Sequence, residues 1–132
     1  MPQKGIGRNV NVARETIRAA VDERMWVLLN HVKADKWEQH VHFVHHILMP
    51  AAGKVAPSAL RLTRFLQPAG QNEDGTYTSV FLMDPLVEGA DYDILSLLKK
   101  AYGEEKAEEY IQLWNESLSG PQVGYDLTQS SW

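Results

Sequence analysis

Apolar residues recur along this chain in two rhythms, and the switches between them predict its elements. Val10, Ala13, Ile17, Ala20 and Val21 fall at helical spacing, with Arg14, Glu15, Arg18, Asp22 and Glu23 between them and Asn9 or Asn11 as a cap. The pattern predicts a short amphipathic helix behind a loose tail over residues 1–9. Met25 to Val32 (MWVLLNHV) is a nearly continuous apolar run, too short for an independent helix and rich in strand formers, and so reads as a first strand. Asp35 followed by Glu38 has the spacing of a helix start. Trp37, Val41, Phe43, Val44, Ile47 and Leu48 then form an apolar stripe that Pro50 and Gly53 are expected to stop. Ala59 to Gln67 and Thr76 to Met83 read as two strands of a hairpin, joined by the turn-rich QPAGQNEDG. Beyond Asp84-Pro85 and Gly89, the DYD run caps a helix carrying Ile94, Leu95, Leu97, Leu98, Ala101 and Tyr102, with Gly103 as its stop. A second helical segment follows from Glu104, with Ala107, Tyr110, Ile111, Trp114 and Leu118 in its stripe. Ser119-Gly120-Pro121 ends it, and Gln122 to Thr128 reads as a closing strand.

After the N-terminal helix the order is strand, helix, strand, strand, helix, strand. That is the ferredoxin-like βαββαβ arrangement of the α+β class, an antiparallel sheet with helices on one face. Residues 1–24 are expected to form a tail and helix, and 25–132 a single domain. The first and third strands are apolar at both parities: Val27 and Leu29 oppose Leu28 and Val32, while Phe81 and Met83 oppose Val80 and Leu82. Strands of this kind need both faces covered. The cover for the second face is either the same face of another copy, giving a homodimer, or the N-terminal helix of the same chain.

Composition narrows the class. At 132 residues, with 44% hydrophobic and 23% charged residues, the chain has enough apolar material for one core and too little length for two domains. The net charge of -4 argues against a nucleic-acid or anionic-membrane partner, which needs a cationic surplus. With no cysteine, disulfides, thiolate nucleophiles and cysteine-ligated metals are excluded. No apolar run approaches the roughly 18 residues of a membrane span, and Met1 to Asn11 lacks the apolar centre of a secretory signal, so the expectation is a cytoplasmic protein.

The run VLLNHVKADKWEQHVHFV, a strand turning into a helix, then the hairpin, then the DPLVEGADYD entry into a further helix, resembles the dimeric α/β-barrel superfamily. That superfamily includes the antibiotic-biosynthesis-monooxygenase, ethyl-tert-butyl-ether-degradation and stress-responsive barrel types, with small cofactor-independent oxygenases and cyclases among them. The likeness spans roughly residues 25–128 and is one of architecture. It implies a homodimer and, in enzymatic members, a small-molecule pocket between sheet and helices. Haem-degrading members pair an Asn on the first strand with a Trp and a later His. Asn30 matches that pattern, but no His follows His46, which weighs against haem chemistry. His45, His46 and Pro50 in HHILMP compare loosely with the His-then-Pro ending of the first helix in the ethyl-tert-butyl-ether type.

The densest chemical feature is HVHFVHH. At about 100° per residue, His42, His45 and His46 point to one side of the helix and His40 to the other, among apolar residues. The outer three form either a solvated polar face or a set of imidazole ligands; with no accompanying HExxH glutamate and no cysteine, no functional metal is expected. His40 either has a buried hydrogen-bond partner or faces a cavity as a general base for an acidic carbon or phenol. Asn30 and His31 lie on opposite faces of the first strand, so one of them shares the helix side with His40 and can orient a base or an oxyanion. Arg61 and Arg64 straddle the second strand, Arg64 being the candidate for an anionic group. Tyr77, Phe81, Tyr110 and Trp114 either fill the core or wall an aromatic pocket. No phosphate loop, nucleophile elbow or paired-carboxylate pattern is recognisable. Two functional classes follow. One is a small enzyme needing no cofactor, an oxygenase, cyclase or isomerase acting on an aromatic or polyketide-like molecule with His40, Asn30 and His31 at its centre. The other is a non-catalytic dimeric ligand-binding or stress-associated protein. A closed environment around His40 favours the second.

Overall fold

A computed structural model describes residues 18–131. Along the chain lie β1 (Arg24–Val32), α1 (34–55), α2 (Pro57–Arg61), β2 (Thr63–Leu66), β3 (Tyr77–Met83), α3 (Ile94–Tyr102), α4 (Glu104–Ser117) and β4 (Val123–Thr128). The strands form one antiparallel sheet in the order β2-β3-β1-β4. β1 sits centrally, with Leu28 opposite Phe81 and Asn30 opposite Ser79 on β3, and with Leu28 opposite Gly124 on β4. Strands β1 and β2 are joined by a helical crossover, and β3 returns between them. This is the split βαβ topology of the ferredoxin-like fold.

Strand alternation divides the sheet. Trp26, Leu28, Asn30 and Val32 of β1 share a face with Tyr77, Ser79, Phe81 and Met83 of β3, and the helices pack there. The core on that face joins Phe43, Val44, Ile47, Leu48 and Ala51 of α1 to Phe81 and Met83, closed by Leu97 and Leu98 of α3 and Ala107 and Trp114 of α4. These positions recur every three to four residues on each helix, so burial follows the apolar stripes read from the sequence. Asp93 caps α3 by accepting the Ser96 N–H at 2.8 Å, and Gly103, at φ 90°, makes the corner into α4 that a side chain would strain. The opposite sheet face holds Met25, Val27, Leu29, Val80 and Leu82, with Leu66, Val123, Tyr125 and Leu127 exposed beside them. No described element packs over it.

Three local expectations are corrected. First, α1 does not stop at Pro50 and Gly53. It passes from a 3-10 turn at Ala34–Lys36 through α-helix at Trp37–Phe43 and a π-helical turn at Val44–Leu48 into α-helix at Met49–Val55. The widened turn, with the Met49 N–H reaching back to the Val44 carbonyl, takes up the clash that a proline ring has with the preceding turn, and Pro50 falls in the first turn of the next α-helical stretch, where it is tolerated. The neighbouring Ile47 carbonyl accepts the Tyr102 hydroxyl at 2.7 Å. Second, the strand expected from Ala59 is only Thr63–Leu66. Pro57 opens a helical turn that buries Ala59, tertiary packing having decided a short ambiguous run. Third, most of the predicted N-terminal helix lies outside the described residues, and its described end is not helical. There Asp84 accepts the Ala19 N–H, Glu23 accepts the Ala20 N–H and Asp22 has φ 71°, so side chains have replaced the helical ladder.

Phe43 is fully buried where α1 meets α4. Phe43→Ala is expected to lower the unfolding free energy by about 3–5 kcal/mol, read from urea denaturation.

Candidate functional site

Four elements meet at one buried polar chain, and a fifth position, the solvent-exposed Gln122, joins its end. His40 on α1 is fully buried, its ring between Trp37 at 5.6 Å and Trp114 at 5.1 Å, with interplanar angles of 25° and 27°. Its Nε2 lies 2.8 Å from Ser79 Oγ on β3 and its Nδ1 3.1 Å from Ser117 Oγ on α4. The Ser117 hydroxyl donates to the Trp114 carbonyl at 2.7 Å. Asn30 Nδ2 on β1 donates to Ser79 Oγ at 3.1 Å, and Gln122 Nε2, just before β4, donates to Asn30 Oδ1 at 2.8 Å.

Each hydroxyl has one hydrogen, and this fixes the direction of the whole chain. Ser117 gives its proton to a carbonyl, so it accepts from His40 Nδ1–H. His40 Nε2 is then the acceptor for the Ser79 hydroxyl, which in turn accepts from Asn30. Protons point one way from Gln122 to the Trp114 carbonyl, and every member is satisfied with the imidazole neutral. Burial pushes the His40 pKa from 6.5 down to about 4, so the ring holds that neutral form at physiological pH. A general base needs a free lone pair and a pKa near working pH; His40 has neither.

Beside this chain, between the sheet and the helices, lies an apolar cleft of about 70 Å³. Leu28, Phe81 and Met83 form its floor, and Leu48 and Met49 of α1, Leu60 of α2 and Ile94 and Leu97 of α3 are among its walls. Asp91, Tyr92 and Gln122 supply its principal polar groups. Partial burial raises the Asp91 pKa, but hydrogen bonds from Lys100 Nζ, the Ser96 hydroxyl and the Asp93 N–H outweigh it and hold the carboxyl below its ordinary value. Asp91 is therefore ionised at neutral pH. The Tyr92 hydroxyl accepts the Val87 N–H at 2.9 Å and its ring lies 5.4 Å from Trp26.

The sequence-derived candidates separate into groups. His40, Asn30 and Trp114 meet in the buried chain, and Phe81 bridges it to the cleft, 6.1 Å from the Trp114 ring. Tyr77 packs at 5.5 Å against Trp37 at the end of the chain remote from the cleft. Tyr110 meets Tyr102 edge-on at 5.1 Å, with Lys106 Nζ over its ring. His31 and Arg64 lie on the opposite face of the sheet, where Arg64 is bound to the Asp84 carboxylate at 2.7 Å. His42, His45 and His46 are exposed, with the His42 and His46 rings 4.9 Å apart. Among the described residues, no group of three or more histidines and carboxylates is placed to hold a metal ion, and no helix is long and apolar enough to cross a membrane. Ser79, Ser117, Asp91 and Gln122 were not singled out from the sequence. Ser79 carries a readable signal, a hydroxyl at the core-facing parity of YTSVFLM, and Ser117 falls on the same stripe as Trp114, whereas Gln122 and Asp91 carry none.

Strand order, one-sided helices and the cleft define a ferredoxin-like α+β domain. Two solved structures are similar to it. One is a Caulobacter crescentus CB15 protein proposed to be an antibiotic biosynthesis monooxygenase, 13% identical over 90% of this chain and 99% of its own, with a TM-score of 0.45. The other is a dimeric ferredoxin-like protein of unknown function from Thermobifida fusca YX, 14% identical over 82% of this chain and 92% of its own, with a TM-score of 0.36. No family model and no curated protein matches the chain.

His40→Ala is expected to cost about 1–3 kcal/mol by leaving Ser79 and Ser117 without a partner, while alanine at His42, His45 or His46 stays within about 0.5 kcal/mol of the parent. The pH dependence carries the signature. Between pH 6.5 and about 4 the unfolded chain binds a proton at His40 that the folded chain does not, so its contribution to stability is complete above 6.5 and is lost as pH falls towards 4. Urea unfolding across that range should show a shallower fall for His40→Gln than for the parent protein.

Proposed function

We propose that this protein is a small-molecule-binding protein that takes an apolar ligand in the sheet–helix cleft and works as a homodimer joined through the open sheet face. The observation that carries the reading is the separation of the two features. The cleft is apolar and accessible, while His40 is enclosed, satisfied and neutral. A cleft lined by aliphatic and aromatic side chains with a few polar groups is the usual form of a ligand site. The enclosed space, about 70 Å³, is about half of the roughly 150 Å³ that holds one benzene, so a one-ring ligand would seat only in part and leave the rest in the open mouth of the cleft. Met49 at its wall gives an adaptable lining.

The enzymatic reading, a cofactor-independent oxygenase, cyclase or isomerase with His40 as base, has weaker support. Ser79 occupies the only lone pair of the imidazole, and the one carboxylate in the cleft, Asp91, is held as a weak base. An enzyme on this scaffold would depend on the acidity of its own substrate.

The dimer rests on the outer sheet face. Leu66 at 41% exposure, Tyr125 at 50% and Leu127 at 45% flank a centre made by Val27, Leu29, Val80 and Leu82. An apolar surface of that extent is uncommon on a monomer. On this face Arg64 is paired with the Asp84 carboxylate at 2.7 Å, which lowers the charge cost of bringing two copies together across a two-fold axis.

Two experiments test these statements. Ethylbenzene added to the methyl-labelled protein should shift resonances of Leu28, Leu48 and Leu97, and Ala52→Trp should abolish those shifts while leaving the thermal melt cooperative. Shifts confined to the outer sheet face would overturn the cleft reading. In light scattering the parent protein should have the mass of a dimer and Leu29→Lys, at the centre of the outer face, that of a monomer. A monomeric parent at micromolar concentration would remove the dimer.

A further inference from the structure

The cleft and the buried chain meet at one residue. Gln122 lines the cleft, and one N–H of its amide is spent on Asn30 Oδ1. Asn30 has no freedom to turn over, because its Nδ2 is held by Ser79, whose hydroxyl is committed to His40. If the Asn30 amide flipped, its oxygen would face an oxygen whose only hydrogen already goes to His40 Nε2, and its nitrogen would face the Gln122 nitrogen. The chain therefore fixes which atom of Gln122 is bonded inward. What remains for a ligand is the carbonyl oxygen, which accepts, and the second amide hydrogen. Asp91 on the same cleft is a carboxylate whose three bound donors leave it anionic.

On this basis, and resting on the cleft reading above, we infer that the cleft selects a neutral, hydroxyl-bearing apolar molecule of the phenol class, with Gln122 as its recognition group and Ser79 and His40 as positioning residues acting through Asn30. A hydroxyl both donates and accepts, and so matches an amide that presents a carbonyl and an N–H. A carboxylate only accepts, so it can take the Gln122 N–H but gives nothing to the Gln122 carbonyl, and it must surrender far more hydration than a hydroxyl to enter an apolar cleft whose own carboxylate, Asp91, is already paired with Lys100 at 2.8 Å. The cleft thus disfavours the acid relative to the alcohol. His40 acts at a distance, its neutral tautomer setting the direction of every bond back to Gln122.

Three probes that differ only in the para substituent separate the statements: ethylbenzene, 4-ethylphenol and 4-ethylbenzoate, titrated by NMR and calorimetry at neutral pH. The expected order is 4-ethylphenol about 3–10-fold tighter than ethylbenzene, as one net hydrogen bond provides, with 4-ethylbenzoate the weakest. Gln122→Leu should bring 4-ethylphenol to the affinity of ethylbenzene without loss of ethylbenzene binding. Ser79→Ala should shrink the same ratio, a selectivity that loss of global stability alone leaves unchanged. A 4-ethylbenzoate affinity equal to or above that of 4-ethylphenol, or a preference for the phenol that survives Gln122→Leu, overturns the inference while the cleft reading stands. An unchanged ratio in Ser79→Ala removes the positioning role. If ethylbenzene itself does not bind, the cleft reading fails and the inference with it.

Discussion

The structure depends on a single satisfied line of hydrogen bonds through its interior. His40, Asn30, Ser79 and Ser117 are all buried completely, and each comes from a different element. A buried polar group without a partner costs about 1–3 kcal/mol, so four groups that satisfy one another in sequence penalise every arrangement that separates them. Slipping β1 by one residue against β3 would turn Asn30 or Ser79 to the outer face and leave the other facing apolar side chains. Rotating α1 by one position would replace the imidazole with Gln39 or Val41. The apolar core drives collapse without specifying register this sharply, since Leu, Val and Phe tolerate many neighbours. The polar chain fixes strand register and the rotation of both long helices at once.

That arrangement leaves the two sheet faces in different conditions. The helix face is filled by core and polar chain except near Leu28, Phe81 and Met83, where α1, α2 and α3 diverge and the cleft opens. At β4 it is only partly covered, and Gly124 lies where an added Cβ would come within 3.1 Å of Leu28 Cδ2, so the backbone of β4 presses directly on a floor residue of the cleft. On the outer face His31 opposite Thr78 is followed by Val27, Leu29, Val80 and Leu82, whose aliphatic side chains are only half-buried. One sequence thus makes an inner surface with a specific polar pattern and an outer one whose centre is aliphatic.

Much of this was legible in the letters. Element order gave the topology because apolar period and turn residues agreed almost everywhere, and helix phase placed His40 inside and His42, His45 and His46 outside, as observed. The failures were local competitions. Pro50 and Gly53 are strong stop signals by propensity, and a π-helical turn overrode them. Ala59 and Leu60 suit either strand or helix, and packing against α1 decided. The site was less legible because hydrogen-bond partners come from distant positions. Ser79, Ser117 and Gln122 lie 39, 77 and 92 residues from the groups they bind. His31 and Arg64 were separated from His40 by strand parity alone, which told that the faces differ without telling which face the helices cover.

The partners around His40 also distinguish a structural histidine from a catalytic one in terms that residue identity cannot. A histidine that must take a proton is usually oriented by a carboxylate, which stabilises the imidazolium, and keeps its second nitrogen open to substrate. Among the described residues, His40 has two hydroxyl partners and no carboxylate within its hydrogen-bonding shell. Its flanking indoles would attract a cation through their faces, but burial outweighs that attraction and the ring remains neutral. A neutral ring carries one N–H and one lone pair; the Ser117 hydroxyl, committed to the Trp114 carbonyl, sets which nitrogen carries the hydrogen, and through Ser79 and Asn30 that choice reaches the Gln122 amide. Charging the ring would demand that Nε2 donate, which reverses the Ser79 hydroxyl and sets it against the Asn30 amide. The neutrality that speaks against His40 as a base is the same property that the proposed positioning role requires.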